Sequence, residues 1–213
     1  MKIELRNIES NDRLGREGTI WQAKLYIDDF EAGKAYNHGD GGPTQWGHLN
    51  AKGLELIQKA VKWSKTLPPH ITTFPGKSKP VSLRMDFEFY LDLLLDKHLE
   101  GKQMNKDMKK AILFGVPDSG KYTLLSFKVP ISSILANKMY LGFLAEQLRE
   151  QVFPKLTNGA VILNTNIPEA FHEKLNIKKD QVVAQKEEKQ QKKPQKYPND
   201  DLDNRQKRTR SRR

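Results

Sequence analysis

The sequence has no cysteine in 213 residues, which excludes disulfide bonds, thiolate metal ligands and cysteine nucleophiles. It also has no apolar run near the roughly 18 residues that a membrane-spanning helix requires, so no membrane partner is expected. No apolar segment follows the charged start of the chain, and a secretory signal is therefore not expected. These absences leave a chain in which 30% of the residues are charged, a composition that suits a soluble protein.

The end of the chain differs in composition from the rest. Residues 177–213 hold 13 Lys or Arg and 6 Asp or Glu, which accounts for +7 of the total net charge of +11. Apolar residues are sparse in this segment, so it cannot bury enough surface to offset the entropy lost on ordering. We therefore predict one compact domain over residues 1–176 and a disordered, Lys/Gln/Arg-rich basic tail over residues 177–213.

The tail ends in a dense cluster of cations. These six residues are Arg205, Lys207, Arg208, Arg210, Arg212 and Arg213. Each cation that neutralises a phosphate releases condensed counterions, so the cluster predicts binding to DNA or RNA. In the body, we expect Lys109, Lys110 and Lys121 to extend this surface, with Tyr122 or Phe127 as a platform for unpaired bases. The other body lysines of this predicted patch are Lys102, Lys106 and Lys128.

Alternating apolar and polar residues predict strands in the first third of the chain. The alternation is clearest from Thr19 to Ile27, and Asp28-Asp29 then predicts a tight turn into a third strand over Phe30 to Asn37. Further short strands are predicted over Ala111 to Val116, Tyr122 to Val129 and Ala160 to Leu163. The segment from Ile71 to Pro80 is predicted to be a linker.

Helical periodicity predicts three main helices. Asn50 is expected to cap the first, which ends before Leu67-Pro68-Pro69. Ser82 is expected to cap the second, which Glu100-Gly101 stops or bends. The third is expected to run from Ser132 or Ser133 to Val152. The fold prediction is therefore α+β, an antiparallel sheet packed by about three helices.

The segment from Gly115 to Tyr122 has the G-x-x-x-x-G-K frame of a phosphate-binding loop. That chemistry requires Ser or Thr after the lysine and a helix that starts there. Tyr122 occupies that position, and a strand pattern follows it. Pro117 also removes an amide that the phosphate cradle would use. We therefore interpret the segment as a hairpin turn.

A second glycine-rich segment lies between the third strand and the first helix. Its possible ligand-binding residues are His38, Gly39, Asp40, Gly41, Gly42, Thr44 and Trp46. Three glycines allow backbone amides to converge on an anion, and the tryptophan is suited to stack on a base. The alternative, which we favour, is a wide connection that needs positive φ angles.

No catalytic, cofactor or metal site is predicted. The five histidines are scattered, and a site made by His38, Asp40 and His48 has wider spacing than zinc ligands usually show. Asp92 and Asp96 share a helix face at i, i+4 and resemble paired catalytic carboxylates, but a solvated polar face is the simpler interpretation. A nucleophile elbow is also absent, so the sequence favours a non-enzymatic role.

The segment from Trp21 to Gly42 combines a strand, an acidic hairpin turn, an Ala-Gly step and an Asn-x-Gly-x-Gly-Gly loop. In this it resembles small uncharacterised proteins of bacteriophages and bacterial mobile elements, over roughly the first 130 residues. The resemblance implies a phage or mobile-element source and hence a location in the bacterial cytoplasm or the virion. It implies no activity.

The expected function is that of a nucleic-acid-binding or ribonucleoprotein-associated accessory protein. The main alternative is a protein-interaction module, such as a virion component or an inhibitor of a host defence system, whose tail docks on an acidic partner. A third hypothesis is a nucleotide-binding or hydrolytic domain that uses the glycine-rich loop of residues 38–44. The sequence leaves the oligomeric state and the type of nucleic acid open.

Overall fold

The computed structural model describes residues 1–11, 15–74 and 79–183, and these residues adopt an α+β fold. The strands are β1 (Ile3–Asn11), β2 (Ile20–Ile27), β3 (Phe30–Asn37), β4 (Gln45–His48), β5 (His70–Thr72), β6 (Val81–Leu83), β7 (Ala111–Gly115), β8 (Thr123–Ser126) and β9 (Val161–Ile162). The helices are α1 (Ala51–Ser64), α2 (Phe87–Asp107), α3 (Ile131–Ala136) and α4 (Lys138–Gln147). A π-helical turn at Leu148–Val152 continues α4, and short 3-10 turns lie at Phe153–Lys155, Glu169–Phe171 and Lys179–Gln181.

The first four strands form one antiparallel sheet in the order β1-β2-β3-β4. The predicted hairpin between β2 and β3 is confirmed. Its two turn residues, Asp28 and Asp29, have φ angles of 48° and 64°, as the tight turn that matches strand twist requires. The predicted alternation is also confirmed, because Trp21 and Leu25 are buried while Tyr26 is half-buried.

Helix α1 packs closely on this sheet. The side chain of Asn50 caps it, as predicted, by accepting a hydrogen bond from the Gly53 amide at 2.9 Å. A Cβ atom added at Gly53 would lie 2.1 Å from the carbonyl oxygen of Ala32 in β3. Only glycine therefore allows this approach of helix to strand.

The second helix differs from its prediction at both ends. Ser82 lies in β6 and does not cap it; the cap is Asp86, whose carboxylate accepts from the amide three residues later at 2.9 Å. The helix also continues through Gly101 to Asp107. One glycine costs a helix only about 1 kcal/mol, and the last turns are held because Met104 packs in a separate apolar cluster.

Two short strands lie where the sequence predicted loops. Trp46, predicted in a loop, lies in β4, which pairs with β3. Ile71, predicted in a linker, lies in β5, which pairs with β6. Such short, largely exposed strands bury too few side chains to produce an alternating pattern.

The C-terminal sheet has the order β8-β7-β9, and all of its strands are antiparallel. Residues 117–121 form the turn between β7 and β8, as the hairpin interpretation predicted. The prediction of one continuous third helix is wrong in one respect, because the helix divides at Asn137 into α3 and α4. Asn137 has an extended backbone, and its side chain accepts hydrogen bonds from the amides of Met139 and Tyr140, so it caps α4.

The buried side chains form distinct clusters. The first joins the N-terminal sheet, α1 and the start of α2. The second joins the C-terminal sheet, α3 and α4. A third, smaller cluster of Met108, Ala111, Leu113 and Leu163 lies at the junction of α2 and β7. Helix α2 therefore connects the two halves.

Candidate nucleic-acid interface

The turn between α2 and β7 brings several lysines to one corner of the molecule. The Lys109 amide donates a hydrogen bond to the carbonyl of Lys106 at 3.3 Å. The chain that leaves β8 returns to this turn, because the Phe127 amide donates to the carbonyl of Lys110 at 2.8 Å. We name the lysines at this junction the lysine corner: Lys106, Lys109, Lys110 and Lys128.

The lysine corner has no acidic partners within the described residues. All four side chains are exposed, and none of them forms an ion pair there. Elsewhere on the surface, Lys24 pairs with Glu31 at 2.9 Å and Lys59 pairs with Glu55 at 2.7 Å. The lysine corner is therefore positioned to bind an external anion such as phosphate.

The side chains of a buried asparagine, Asn164, and an exposed one, Asn166, bond to the backbone beside the lysine corner. Asn164 is 4% exposed, and its side chain accepts from the Leu113 amide at 2.7 Å and donates to the Ala111 carbonyl at 3.0 Å. Asn166 donates to the carbonyl of Met108 at 2.7 Å. These bonds hold the backbone on both sides of the lysine pair 109–110. Sequence analysis missed them because the partners are more than 50 residues apart.

The described chain ends alongside β9 of the C-terminal sheet. Val182 forms a parallel bridge with Ile162, and the Val183 amide donates to the Ile162 carbonyl at 3.0 Å. Val183 also packs against the cluster that includes Met108 and Ala111, the residues on either side of the lysine pair 109–110. The tail cations predicted to bind phosphate, Arg205 to Arg213, lie outside the described residues.

These contacts show that the predicted start of the tail, Ile177, is too early in the chain. Ile177 is only 7% exposed and belongs to the C-terminal core, and Val182 packs against that core. The composition of this segment is polar, but its few apolar residues are spaced so that they reach the core. The body therefore extends at least to Val183.

Lys121 is not part of the lysine corner, contrary to the prediction that it extends the surface of Lys109 and Lys110. It lies at the far end of the β7–β8 hairpin, beside Gly115, and the neighbouring Gly120 lies against the carboxylate of Glu100. β7 has five residues, so its two ends are four residue steps apart, a distance of about 13 Å.

The two aromatic residues predicted as base platforms are half-buried. Tyr122 packs against the cluster at the α2–β7 junction, and its hydroxyl donates to the carboxylate of Asp107 at 3.0 Å. Phe127 packs against the C-terminal core. Both rings are thus engaged within the fold.

The glycine-rich loop uses its polar groups internally. The Gly39 amide donates to the Asn37 side chain at 2.8 Å, and the Gly42 amide donates to the Asp40 carboxylate at 3.1 Å. Gly39 and Gly41 have φ angles of 68° and 79°, as a wide connection requires. Two of the amides that would hold an anion are therefore occupied.

The remaining residues of the predicted ligand loop are placed by contacts with other elements. The His38 ring lies edge-on to Tyr36, with 5.3 Å between ring centroids. Trp46 lies edge-on to the buried ring of Phe87, with 5.0 Å between centroids. Thr44 is buried and hydrogen-bonded to α2. The loop thus connects the sheet to α2.

Thr44 joins the glycine-rich loop to the acidic face of α2. Its amide donates to the Glu88 carboxylate at 3.2 Å, and its hydroxyl donates to the Asp92 carboxylate at 2.6 Å. Burial raises the pKa of Asp92, the Thr44 hydrogen bond opposes this rise, and the nearby charges of Asp96 and Asp86 add to it. Asp92 is thus half-buried, whereas the sequence analysis placed it on a solvated face.

Replacing Asp92 with Asn is expected to raise the melting temperature at pH 7 by about 2 °C. Because the pKa of Asp92 is raised in the folded state, the folded protein holds the proton more tightly than the unfolded chain does. This proton binding stabilises the fold at low pH, and the stabilisation is lost as the pH rises through the pKa of the folded state. Asn keeps the acceptor for Thr44 without the charge, so its advantage should disappear at low pH. Asp118→Asn in the exposed hairpin turn is the control. A lower melting temperature for the Asp92 variant at pH 7 would contradict this argument.

In the part of the chain that the structure describes, no three His, Asp or Glu side chains are grouped to hold a metal ion. None of its helices has the length and apolarity needed to cross a membrane.

Comparison with protein-family models, curated proteins and solved structures returns no significant match. Function must therefore be argued from the chain itself.

Proposed function

We propose that this chain is a non-enzymatic nucleic-acid-binding accessory protein. Its basic tail supplies most of the affinity, and the lysine corner supplies a fixed contact on the body. The resemblance of residues 21–42 to phage and mobile-element proteins is the reason to propose such a source. The proposed ligand chemistry is the phosphodiester backbone, which DNA and RNA share.

One observation carries this proposal. Val183, the last described residue before the tail, packs in the cluster that borders the lysine corner. The described body therefore ends against the cluster that borders the lysine corner, which is the reason to propose that a strand bound by the tail also contacts the corner. Unpaired lysines gain free energy from phosphate contact without first breaking an internal ion pair.

The proposal is tested by changing the four lysines of the lysine corner to Gln in the full chain. Binding of labelled single- and double-stranded DNA and RNA is measured by fluorescence anisotropy over a salt series. Four lost phosphate contacts should lower the slope of log K against log salt by about three. Affinity at low salt should fall by about one to two orders of magnitude.

The matched control removes four charges elsewhere. Its substitutions to Gln are at Lys34, Lys62, Lys65 and Lys97, which are exposed and belong to other elements. The control should retain most of the affinity and of the salt slope. Equal losses in the two variants would show that only net charge matters and would remove the lysine corner from the interface. Failure of the unchanged protein to bind any of the four nucleic acids would overturn the proposed function.

A further inference from the structure

The outer face of α4 exposes large apolar side chains. Met139 is 72% exposed, Phe143 is 51% exposed and Tyr140 is 43% exposed. On the opposite side of the same helix, Leu144 is fully buried in the C-terminal core. The helix is therefore apolar on both sides, although the described residues cover only one of them. An exposed cluster of this kind is typical of an association surface.

A glycine lies in the middle of this exposed face. A Cβ atom added at Gly142 would meet nothing within 4 Å, so no packing in the described part of the chain requires glycine there. In a helix interior glycine is less favourable than alanine. Gly142 follows Met139 by three residues and lies one turn further along the same side of the helix, so it leaves a shallow gap beside the apolar side chains where a second helix can approach closely.

The charges on α4 are arranged symmetrically about this glycine. Lys138 lies four residues before Gly142, and Glu146 lies four residues after it. Positions four apart share a helix face, so the two charges lie one turn to either side of Gly142, along the edge of the apolar side chains. The two charged residues are separated by about 12 Å along the helix axis.

We propose that α4 is a self-association face on which a second copy of this chain docks in the antiparallel direction, about a two-fold axis near Gly142. This arrangement places Lys138 of each copy opposite Glu146 of the other, and the apolar side chains between them. A parallel copy would place like charges together. The opposite charges at the two ends therefore select an antiparallel copy of the same helix.

This proposal is independent of nucleic-acid binding. The face is only about three helical turns long, so it is smaller than a standard protein interface. A dimer with a dissociation constant in the micromolar range is expected, roughly 10 µM.

The first test measures the mass of the full chain, freed of nucleic acid, by sedimentation equilibrium up to about 100 µM, ten times the expected dissociation constant. The unchanged protein and Ile71→Glu, which alters a 62% exposed residue in β5, should both dimerise. Phe143→Glu should remain monomeric while keeping its circular dichroism spectrum. A monomeric wild-type protein, or equal dimerisation of the two variants, would overturn the proposal.

A charge-reversal cycle tests the direction of docking. Lys138→Glu and Glu146→Lys should each weaken the dimer by about fivefold, because each places two like-charged pairs across the axis. The double variant restores opposite charges at both positions, so its affinity should return to within about twofold of the wild type. A double variant as weak as the single variants would exclude the antiparallel arrangement.

Discussion

Deleting Arg205 to Arg213 should weaken nucleic-acid binding by the full chain by about a thousandfold at low salt. The deletion removes six cations, and each phosphate contact contributes about 0.7 to 0.9 to the salt slope. The slope should therefore become shallower by about four to five. Anisotropy titrations from low to moderate salt measure both quantities on the same samples.

The control for this deletion keeps the tail length and removes only its charge. Substituting Gln for the six cations of residues 205–213 should reproduce the loss, because the mechanism depends on counterion release and not on chain length. An unchanged salt slope in both variants would exclude the tail end as the phosphate contact. A remaining, selective preference for one nucleic acid would assign that preference to the body.

The position of the deletion matters because the body extends beyond Ile177. A truncation after residue 176 would remove the buried side chain of Ile177 and the hydrogen bond that Val183 makes to Ile162. Loss of binding would then report damage to the C-terminal sheet as well as loss of charge. A truncation after Val183 retains these contacts and removes only residues outside the described structure.

Local signals were sufficient to predict much of the N-terminal half. The acidic pair Asp28-Asp29 predicted a turn, and Asn50 predicted a helix start, because both signals act within about four residues. The same reasoning failed at Ser82, since Asp86 four residues later is an equally good cap and Ser82 itself pairs with Ile71 in a strand. Local propensity alone does not choose between two such caps.

The lysine patch shows where sequence proximity misleads. Lys109 and Lys110 are neighbours in sequence and remain together in the structure. The register of the β7–β8 hairpin determines which other lysines lie near them. Ala111 pairs with Ser126, so the segment with Lys128 lies at the same end of the hairpin as Lys110. Lys121 follows the turn at the other end. Strand register depends on pairing across the sheet, which a one-dimensional pattern does not specify.

The asparagine contacts below the lysine corner could not be predicted for the same reason. They join residues that are far apart in sequence, and an isolated Asn near the end of a short strand is usually a turn residue. Their energetic role follows from burial. The Asn164 side chain is the partner of one backbone amide and one backbone carbonyl of β7.

Replacing Asn164 with Ala should lower the free energy of unfolding by about 3 to 5 kcal/mol, because two buried backbone groups lose their partner. Urea denaturation of the full chain measures this loss. Asn166→Ala, which removes a half-buried bond to the carbonyl of Met108 and a second one accepted from the Asn164 side chain, should cost about 1 to 2 kcal/mol. The exposed neighbour Thr165→Ala should cost less than about 0.5 kcal/mol.

The same series separates folding from the geometry of the interface. If the asparagines position the lysine pair 109–110, Asn166→Ala should remain folded and yet bind nucleic acid several-fold more weakly, with the salt slope lowered by less than about one. Thr165→Ala should bind as the wild type does. Equal stability of the Asn164 and Thr165 variants would show that the amide and carbonyl of β7 find other partners, and the asparagines would then have no role in supporting the lysine corner.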